Sequence, residues 1–428
     1  MVCRDLCHNT KYYGTMNKQD ESTAAVLDVV QDFYERYPYP PPVESLEKYR
    51  ERWNDPMRRR VDHHLFWPAK TFREDHSILV AGCGTSQAAK HALRWPQAQV
   101  TGIDFSATSV DCTNQLKLKY KLDNLTVVQL PVERVAELGS AFDQIVCTGV
   151  LHHLPDPDAG LAALRQVLKP DGAMHLMVYA QYGRTGIYML QEFCRRLGIA
   201  ATDDGIRDLI SALGLLPPGH PLETLLREAP DFRSEAALAD ALLHPQDRAY
   251  TVSQLFELLE NGGMKFGRWI KQAPYSACGV MEQIPHSEQL ANLPPAERYA
   301  AVELFRGAML MHSVVAYRDD ASEDQVIDLD GDAWPDYVPI RLPDTICVTE
   351  RLPKGAAGVL INRTHTFRDI YLPISVAEKR MYEAIDGKLS ISELAGANQP
   401  AKNEMVRTFF ARLYSYDQVV FDASQVSA

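Results

Sequence analysis

Residues 78–86 read Ile-Leu-Val-Ala-Gly-Cys-Gly-Thr-Ser, an apolar run followed by two closely spaced glycines, Gly82 and Gly84. Glycine lets the backbone turn sharply and pass close to a ligand, because it has no Cβ. A helical pattern follows, and the start of a helix offers unpaired N–H groups to a ligand. The stretch therefore predicts a strand, a tight turn and a helix that border a binding site.

From Ser77 onward, short apolar runs alternate with helical stretches, which is typical of a parallel sheet with crossover helices. The expected strands are 78–81, 100–103, 125–128, 144–147, 174–178, 266–270 and 309–317. A mostly helical stretch at 186–245 separates the fifth strand from the sixth. The pattern predicts an α/β fold with a seven-stranded sheet, parallel or mixed, and a helical insertion after the fifth strand.

Asp104 ends the second expected strand, twenty-two residues after Gly82. A carboxylate at this point can accept both hydroxyls of an adenosine ribose. Nicotinamide dinucleotides and S-adenosylmethionine both fit such a turn. A dinucleotide site would require a third glycine at position 87, where this chain has Gln87, whereas S-adenosylmethionine has no pyrophosphate and needs none.

Two later motifs complete the set, Phe-Asp-Gln-Ile-Val-Cys-Thr-Gly-Val-Leu-His-His-Leu-Pro at 142–155 and Leu-Lys-Pro-Asp-Gly at 168–172. With the glycine turn and Asp104, they resemble the class I S-adenosylmethionine-dependent methyltransferases, strongly over 76–180 and loosely over 251–317. The resemblance implies a Rossmann-like methyltransferase sheet and S-adenosylmethionine as cofactor. It implies in-line methyl transfer to an oxygen or nitrogen nucleophile of a small molecule or a protein side chain. With the Tyr-Pro-Tyr-Pro arm at 37–40, the glycine loop at 80–85 and an extra C-terminal domain, the chain resembles a bacterial multidomain methyltransferase group. This similarity extends more weakly to bacterial enzymes that methylate protein lysines.

The resemblance also assigns roles to matching positions. The backbone of the glycine turn would hold the methionine half of the cofactor, Asp104 the ribose and Phe105 the adenine, with Val132 nearby, and the end of the fourth strand would lie near the sulfonium. The residues are Ala81, Gly82, Cys83, Gly84, Asp104, Phe105, Val132, Thr148 and Gly149. Three departures accompany the match: Val80 where an acid is frequent, Ser86 where glycine is frequent, and Leu130-Pro131 where an aspartate commonly reads the adenine amino group.

His152 and His153 follow the fourth expected strand, and Tyr179 ends the fifth, where the acceptor would approach. A general base is needed only if the acceptor arrives protonated. Each of these side chains is a candidate for that base. The preferred interpretation is structural, with one histidine packed at the strand end and the other facing solvent.

The N-terminal part combines an expected helix from Thr23 to Tyr34, a proline-rich arm at 36–42, a charged helix at 44–60 and an aromatic run at 63–68. In class I enzymes such residues often fold over the cofactor. Tyr37, Tyr39, His64 and Trp67 are therefore candidates for a lid. An arm that is simply packed on the domain surface is an equal alternative.

The expected domains are 1–75 as an N-terminal arm with lid helices, 76–318 as the cofactor-binding domain, 319–336 as an acidic linker and 337–428 as a winged-helix-like α+β domain. The linker holds eight acidic residues in eighteen positions, which is typical of a solvated segment. Its Asp328-x-Asp330-x-Asp332 pattern fails as a calcium loop, because position six is Ala333 instead of glycine. A chain ending near Asp320 is expected to fold, provided that the domain interface is modest and polar.

A net charge of −12 argues against bulk attraction to nucleic acid or anionic lipid. Residues 331–428 carry eleven Lys/Arg against twelve Asp/Glu, which disfavours the alternative of a cofactor-sensing DNA-binding regulator. Acceptor docking or a homodimer is the preferred role for this domain.

The eight cysteines are scattered and lack a zinc-site spacing, so reduced thiols and no metal are expected. Residues 1–22, with Cys3, Cys7 and His8, show neither a signal peptide nor periodicity and are expected to be disordered. Because no apolar run is long enough to span a bilayer, the expected location is the cytoplasm.

Overall fold

A computed structural model describes residues 29–228, 234–321, 325–396 and 404–426. The expected disorder of 1–22, with Cys3, Cys7 and His8, and the start of the helix expected from Thr23 lie outside these residues. Among the described helices, none combines the length and apolar character that crossing a bilayer requires.

The central sheet has seven strands in the order β3-β2-β1-β4-β5-β7-β6, and only β7 runs antiparallel to its neighbours. The strands are β1 (Ser77–Ala81), β2 (Gln99–Asp104), β3 (Leu125–Gln129), β4 (Phe142–Thr148), β5 (Leu168–Tyr179), β6 (Met264–Trp269) and β7 (Met311–Arg318). This confirms the predicted α/β class and the Rossmann-like seven-stranded mixed sheet. The strand order reverses between β1 and β4, and the crevice at such a point is where open α/β sheets bind ligands.

Helices cover both faces of the sheet. The first thirteen are α1 (29–36), α2 (Glu47–Trp53), α3 (Pro56–Phe66), α4 (Gln87–Arg94), α5 (Ala107–Tyr120), α6 (Pro157–Val167), α7 (Thr185–Leu197), α8 (Asp203–Leu213), α9 (Pro221–Glu228), α10 (Glu235–Leu243), α11 (Val252–Asn261), α12 (Ser287–Ala291) and α13 (Pro295–Arg306). Successive β1 residues point to opposite faces, so Leu79 joins the core under α6 and α11, and Val80 the core under α4 and α5. The sheet is therefore buried on both sides, as parallel sheets require.

The charged stretch 44–60 is not the single helix that its composition predicts. It divides into α2 and α3 at Asp55, whose side chain caps α3 by accepting a hydrogen bond from the Met57 N–H, with Pro56 as the first helical residue. Proline is favoured at that position because it needs no hydrogen-bond partner for its nitrogen. The break turns α3 toward the C-terminal part of the chain.

The insertion after β5 comprises α7 to α10 and has an apolar cluster of its own, which includes Ile187, Leu209 and Leu238. This cluster holds α10 in place above the carboxyl ends of the strands. A second, smaller cluster joins α1 to the insertion through Phe33, Tyr37 and Ile206. The arm and the insertion together form the roof of the crevice.

The C-terminal part has two small sheets, β11-β10-β9 and β12-β8, and three helices. Its elements are β8 (Val338–Arg341), β9 (Thr345–Val348), β10 (Gly358–Asn362), β11 (Leu372–Ile374), α14 (Val376–Ala384), α15 (Ile391–Ala395), α16 (Glu404–Ser415) and β12 (Val419–Asp422). The winged-helix likeness of this part remains a prediction. The acidic tract before them is partly packed, since Trp334 is only 3% exposed.

This part is joined to the sheet domain by a buried interface. Asp417 accepts a hydrogen bond from the Ala273 N–H (2.8 Å) and lies 3.4 Å from Arg268, and burial raises the pKa of Asp417 to about 6. Val61 of α3 packs against β8 and β12. The interface therefore combines a buried ion pair with apolar contacts.

Candidate functional site

The glycine turn after β1 has a backbone that only glycine adopts easily. Gly82 and Gly84 have φ angles of +66° and +52°. A Cβ on Gly82 would lie 2.3 Å from Val150 Cγ2, and one on Gly84 would lie 3.1 Å from Pro40 Cδ. Both positions thus exclude a side chain, so their backbone stays accessible from the crevice.

Asp104 stands at the end of β2, directly beside this turn. It accepts hydrogen bonds from the Gly84 N–H (2.8 Å) and the Ser106 N–H (3.0 Å). Burial raises its pKa to about 6, although these hydrogen bonds oppose the shift. A carboxylate has about four lone-pair sites, so acceptor capacity remains for a ribose hydroxyl.

A cavity of about 420 Å³ opens at the carboxyl ends of β1, β2, β4 and β5. Its wall includes these residues singled out from the sequence: Tyr39, Gly82, Gly84, Asp104, Phe105, Val132, Thr148, Gly149, His153 and Tyr179. Ala81 and Cys83 are fully buried within the turn, and the Cys83 N–H donates to the Ile103 carbonyl (2.9 Å). Seven of the nine residues that the resemblance selects thus line one cavity, and Ala81 and Cys83 belong to the turn beside it.

Besides Ala81 and Cys83, four predicted residues are not among those lining the cavity. Tyr37 turns away, and its hydroxyl donates to Asp203 (3.1 Å). His64 lies 3.3 Å from Asp422 of the C-terminal part, and Trp67 stacks on His76 at 4.9 Å between ring centroids. The break before Pro56 directs α3 toward β12, so these two side chains do not cover the cavity. His152, the fourth, is discussed below with the histidines.

At the end of the cavity beside Phe105, the wall continues through Leu130, Pro131, Val132 and Glu133. The motif comparison leaves Leu130-Pro131 without the aspartate expected there. Glu133 brings a carboxylate into the same wall only two residues later. The motif offers no signal for Glu133, because the family pattern places the aspartate at Leu130-Pro131 and not later in the turn.

At the opposite end, Asp240 of α10 joins two tyrosines. Tyr34 donates to one of its oxygens (3.0 Å) and Tyr179 to the other (3.3 Å). Asp240 is 2% exposed, and burial raises its pKa. No motif marks this residue, because it comes from the insertion and reaches the cavity only through the packing of α10.

His153 lies beside Asp240 with its ring held in one orientation. Its Nδ1 is 2.8 Å from the backbone carbonyl of Gln246, which can only accept, so Nδ1 carries the proton. Nε2 then keeps its lone pair, and the ring lines the cavity. The arrangement is that of a base oriented by a hydrogen bond on its far nitrogen.

His152 is fully buried behind His153, with ring centroids 4.1 Å apart. Neither of its ring nitrogens has a hydrogen-bond partner among the described residues, and burial lowers its pKa well below the usual value. His152 is therefore neutral and packs against the Tyr179 ring at 4.1 Å. Of the two histidines, one is packed as expected, while the other faces the cavity instead of the solvent.

The arm helix α1 closes the cavity from above. Gln31 donates to the Phe105 carbonyl (3.1 Å), and Glu35 accepts from the Thr108 N–H (3.0 Å) in the first turn of α5. Farther along the arm, the Thr85 hydroxyl donates to the Pro40 carbonyl (2.8 Å). The arm thus contacts the elements that carry Asp104 and the glycine turn.

Comparison with known proteins identifies this arrangement. Residues 79–174 match a family model described as a methyltransferase domain. This chain is a class I S-adenosylmethionine-dependent methyltransferase. Its cofactor is accordingly S-adenosylmethionine, and the buried Asp104 carboxylate beside an open glycine turn suits the ribose and methionine parts of that molecule.

The methyltransferase belongs to the same family as an uncharacterized protein of Synechococcus sp., with 31% identity over 297 residues that cover 65% of this chain and 69% of that protein. A ubiquinone biosynthesis O-methyltransferase of Neisseria meningitidis is 30% identical over 122 residues, 24% of this chain and 50% of its own length. The methyltransferase thus spans about half the length of that relative. Among solved structures, PKMT2 from Rickettsia typhi in complex with AdoHcy matches with a TM-score of 0.57 and 16% identity, over 88% of this chain and 74% of that one, which shows the shared fold.

Two trios in the methyltransferase bring potential metal ligands within 4.8 Å of one another, His152–His153–Asp247 and His153–Asp240–His244. The Gln246 N–H donates to His244 Nδ1 (3.0 Å), which leaves the proton on its Nε2. Because neutral imidazole binds metals through an unprotonated nitrogen, His244 in this arrangement has no nitrogen for a metal ion, and the second trio does not fit one.

Proposed function

We propose that the methyltransferase moves a methyl group to an oxygen or nitrogen nucleophile of a small molecule or protein side chain at the Asp240 end of the cavity. The observation that carries this proposal is that His153 and Asp104 line one cavity. When bound, S-adenosylmethionine supplies a methyl carbon already activated by positive sulfur. The chain contributes position and exclusion of water, which together can account for about 7–11 kcal/mol of the barrier.

The cofactor would lie from Phe105 across Asp104 to the glycine turn. The backbone of Ala81, Gly82, Cys83 and Gly84 would face its methionine half, Asp104 its ribose, Phe105, Val132 and Glu133 its adenine, and Thr148 and Gly149 its sulfonium. The supporting facts are the missing Cβ atoms of the turn and the remaining acceptor capacity of Asp104. Glu133 would take the place of the missing aspartate as the acceptor for the adenine amino group.

His153 is the proposed base for an acceptor that arrives protonated. Its ring lines the cavity, and the Gln246 carbonyl accepts the Nδ1 proton, which leaves a lone pair on Nε2. The proton of an acceptor O–H or N–H would move to Nε2 as the nucleophile attacks. Tyr179 and Asp240 would orient the acceptor, and His152 would support the His153 ring from behind.

The arm is proposed as the lid, with Tyr34 and Tyr39 as its contacts to the cavity. Tyr37 would anchor the arm to the insertion through Asp203. His64 and Trp67 have no part in this proposal, because both are packed against other parts of the chain.

The division at 319–336 and the role of residues 337–428 are also proposals. A DNA-binding regulator is disfavoured, because Arg407 of α16 pairs with Glu404 and Asp330, and Arg412 pairs with Glu378. For residues 337–428 we favour a docking role, either for the acceptor or for a second copy of the chain. Light scattering distinguishes the two, because only the second role gives a dimer. A cytoplasmic location fits the six free cysteines of the described residues.

Transfer of a labelled methyl group in a cell lysate tests the proposed function. The unaltered chain should label a small-molecule or a protein fraction, and His153→Gln should label it far less. Labelling that persists unchanged in His153→Gln would exclude this base, and binding to genomic DNA fragments in a gel-shift assay would restore the regulator as a candidate.

A further inference from the structure

One face of α4 forms a wall of the cavity that the proposed cofactor site does not use. Gln87, Lys90, His91 and Arg94 are spaced three, four and seven residues apart, so they share one side of the helix. All four line the cavity. Gln87 donates to the Thr148 hydroxyl (2.7 Å), so this face begins beside the position proposed for the sulfonium.

Lys90 lies three residues farther along the helix, about 4.5 Å on. Its ammonium group has no hydrogen bond or ion pair with any described residue. Burial is the single cause of its lowered pKa, so no carboxylate balances it. A partly buried ammonium without a counter-ion is unfavourable, and a bound anion would remove that cost.

The side chains next to Lys90 on this face differ from it in their partners. Arg94 is fully engaged: it bonds Asp62 (3.0 Å) and Tyr49, and lies 3.9 Å from the Trp53 ring centroid. His91 is 5% exposed, and its Nδ1 has no partner among the described residues. Since burial holds the pKa of His91 well below its usual value, the ring is neutral and can donate one N–H.

We infer that Lys90 and His91 form an oxyanion subsite, which takes a carboxylate or phosphate group about one helical turn from the transferred methyl. A charged donor and a neutral N–H donor side by side suit two oxygens of such a group. The inference rests on the proposed function, because it places the ligand in the same cavity. The oxyanion belongs either to the acceptor or to the methionine part of the cofactor.

Calorimetry on the full chain separates the two sources without knowledge of the acceptor. Lys90→Met removes the charge and keeps the length, and Lys48→Met is the matched control at an exposed position of α2. The probes are S-adenosylhomocysteine and 5′-methylthioadenosine, which lacks the amino-acid part. Benzoate, inorganic phosphate and neutral benzamide are then added to the S-adenosylhomocysteine complex.

If the cofactor supplies the carboxylate, Lys90→Met binds S-adenosylhomocysteine roughly 10- to 100-fold more weakly and binds methylthioadenosine normally. If the acceptor supplies it, S-adenosylhomocysteine binds normally, and benzoate or phosphate binds the complex of the unaltered chain but not that of the variant. Equal behaviour of Lys90→Met and Lys48→Met toward every probe overturns the subsite. If both variants bind methylthioadenosine normally in that case, the proposed function stays intact. If the unaltered chain itself fails to bind methylthioadenosine, the cofactor site is contradicted.

Discussion

The carboxylate of Asp104 accepts a hydrogen bond from the backbone N–H of Gly84 at 2.8 Å, so the end of β2 fixes the shape of the turn that follows β1. Asp104→Ala removes both this bond and the proposed acceptor for the ribose. Hydrogen bonds to charged groups contribute about 1.5–3 kcal/mol, so we expect affinity for S-adenosylhomocysteine to fall about 10- to 100-fold. Calorimetry measures it, and unchanged affinity would show that the ribose lies elsewhere.

The raised pKa of Asp104 makes cofactor binding depend on pH. The carboxyl takes up a proton below about pH 6 in the free protein, and ribose hydroxyls prefer the ionised form. Affinity should therefore weaken about tenfold per pH unit below 6. Because the folded pKa lies above the unfolded one, protonation contributes stability that is present at low pH and lost as pH rises through about 6. Asp104→Asn should abolish both effects. Measurements of cofactor affinity and of unfolding free energy between pH 5 and 8 test this.

Gly82→Ala and Gly139→Ala separate backbone strain from steric exclusion. Both glycines have positive φ, +66° and +61°, but a Cβ on Gly139 meets nothing within 4 Å, whereas one on Gly82 meets Val150. We expect Gly139→Ala to cost about 1–2 kcal/mol of unfolding free energy and to leave cofactor affinity unchanged. Gly82→Ala should cost more and weaken the binding of S-adenosylhomocysteine. Equal effects of the two substitutions on unfolding free energy and on affinity for S-adenosylhomocysteine would contradict a special role of the glycine turn.

His153→Gln tests the base. General-base removal typically lowers the rate about 10²- to 10⁴-fold, and affinity for S-adenosylhomocysteine should change little. The rate of methyl transfer to the labelled acceptor identified in the lysate is compared between His153→Gln and a control variant, His286→Gln, at an exposed position. A rate that is equal in His153→Gln and His286→Gln would assign the proton transfer to another group.

Asp417→Ala tests how firmly the C-terminal part is attached. It leaves Arg268, which is 7% exposed, without its charged partner, and breaking a buried pair costs about 3–5 kcal/mol. Urea denaturation should show a loss of that size, and a chain ending at Asp320 should melt at a lower temperature than the full chain. If the truncated chain melts cooperatively at the same temperature, the two parts are independent.

The sequence allowed the sheet to be predicted because its strands are short apolar runs that end in recognisable turns. Asp104 and the glycine turn follow from local patterns, and the cavity contains them. Asp240 could not be found in this way, since it sits in a helix whose packing, and no motif, directs it inward. His64 and Trp67 failed as lid residues for the converse reason: an aromatic run indicates burial but does not tell which partner covers it. Lys90 had no visible signal, because an unpaired lysine is recognised only when its surroundings are known.

Tyr34 connects the two ends of the cavity. Its ring contacts Phe105 at 6.1 Å between centroids, and its hydroxyl bonds Asp240. Any motion that lifts α1 must break contacts with both residues at once. In the arrangement that we propose, cofactor and acceptor therefore share one gate, and spent cofactor would not leave along this route while the acceptor side stays closed.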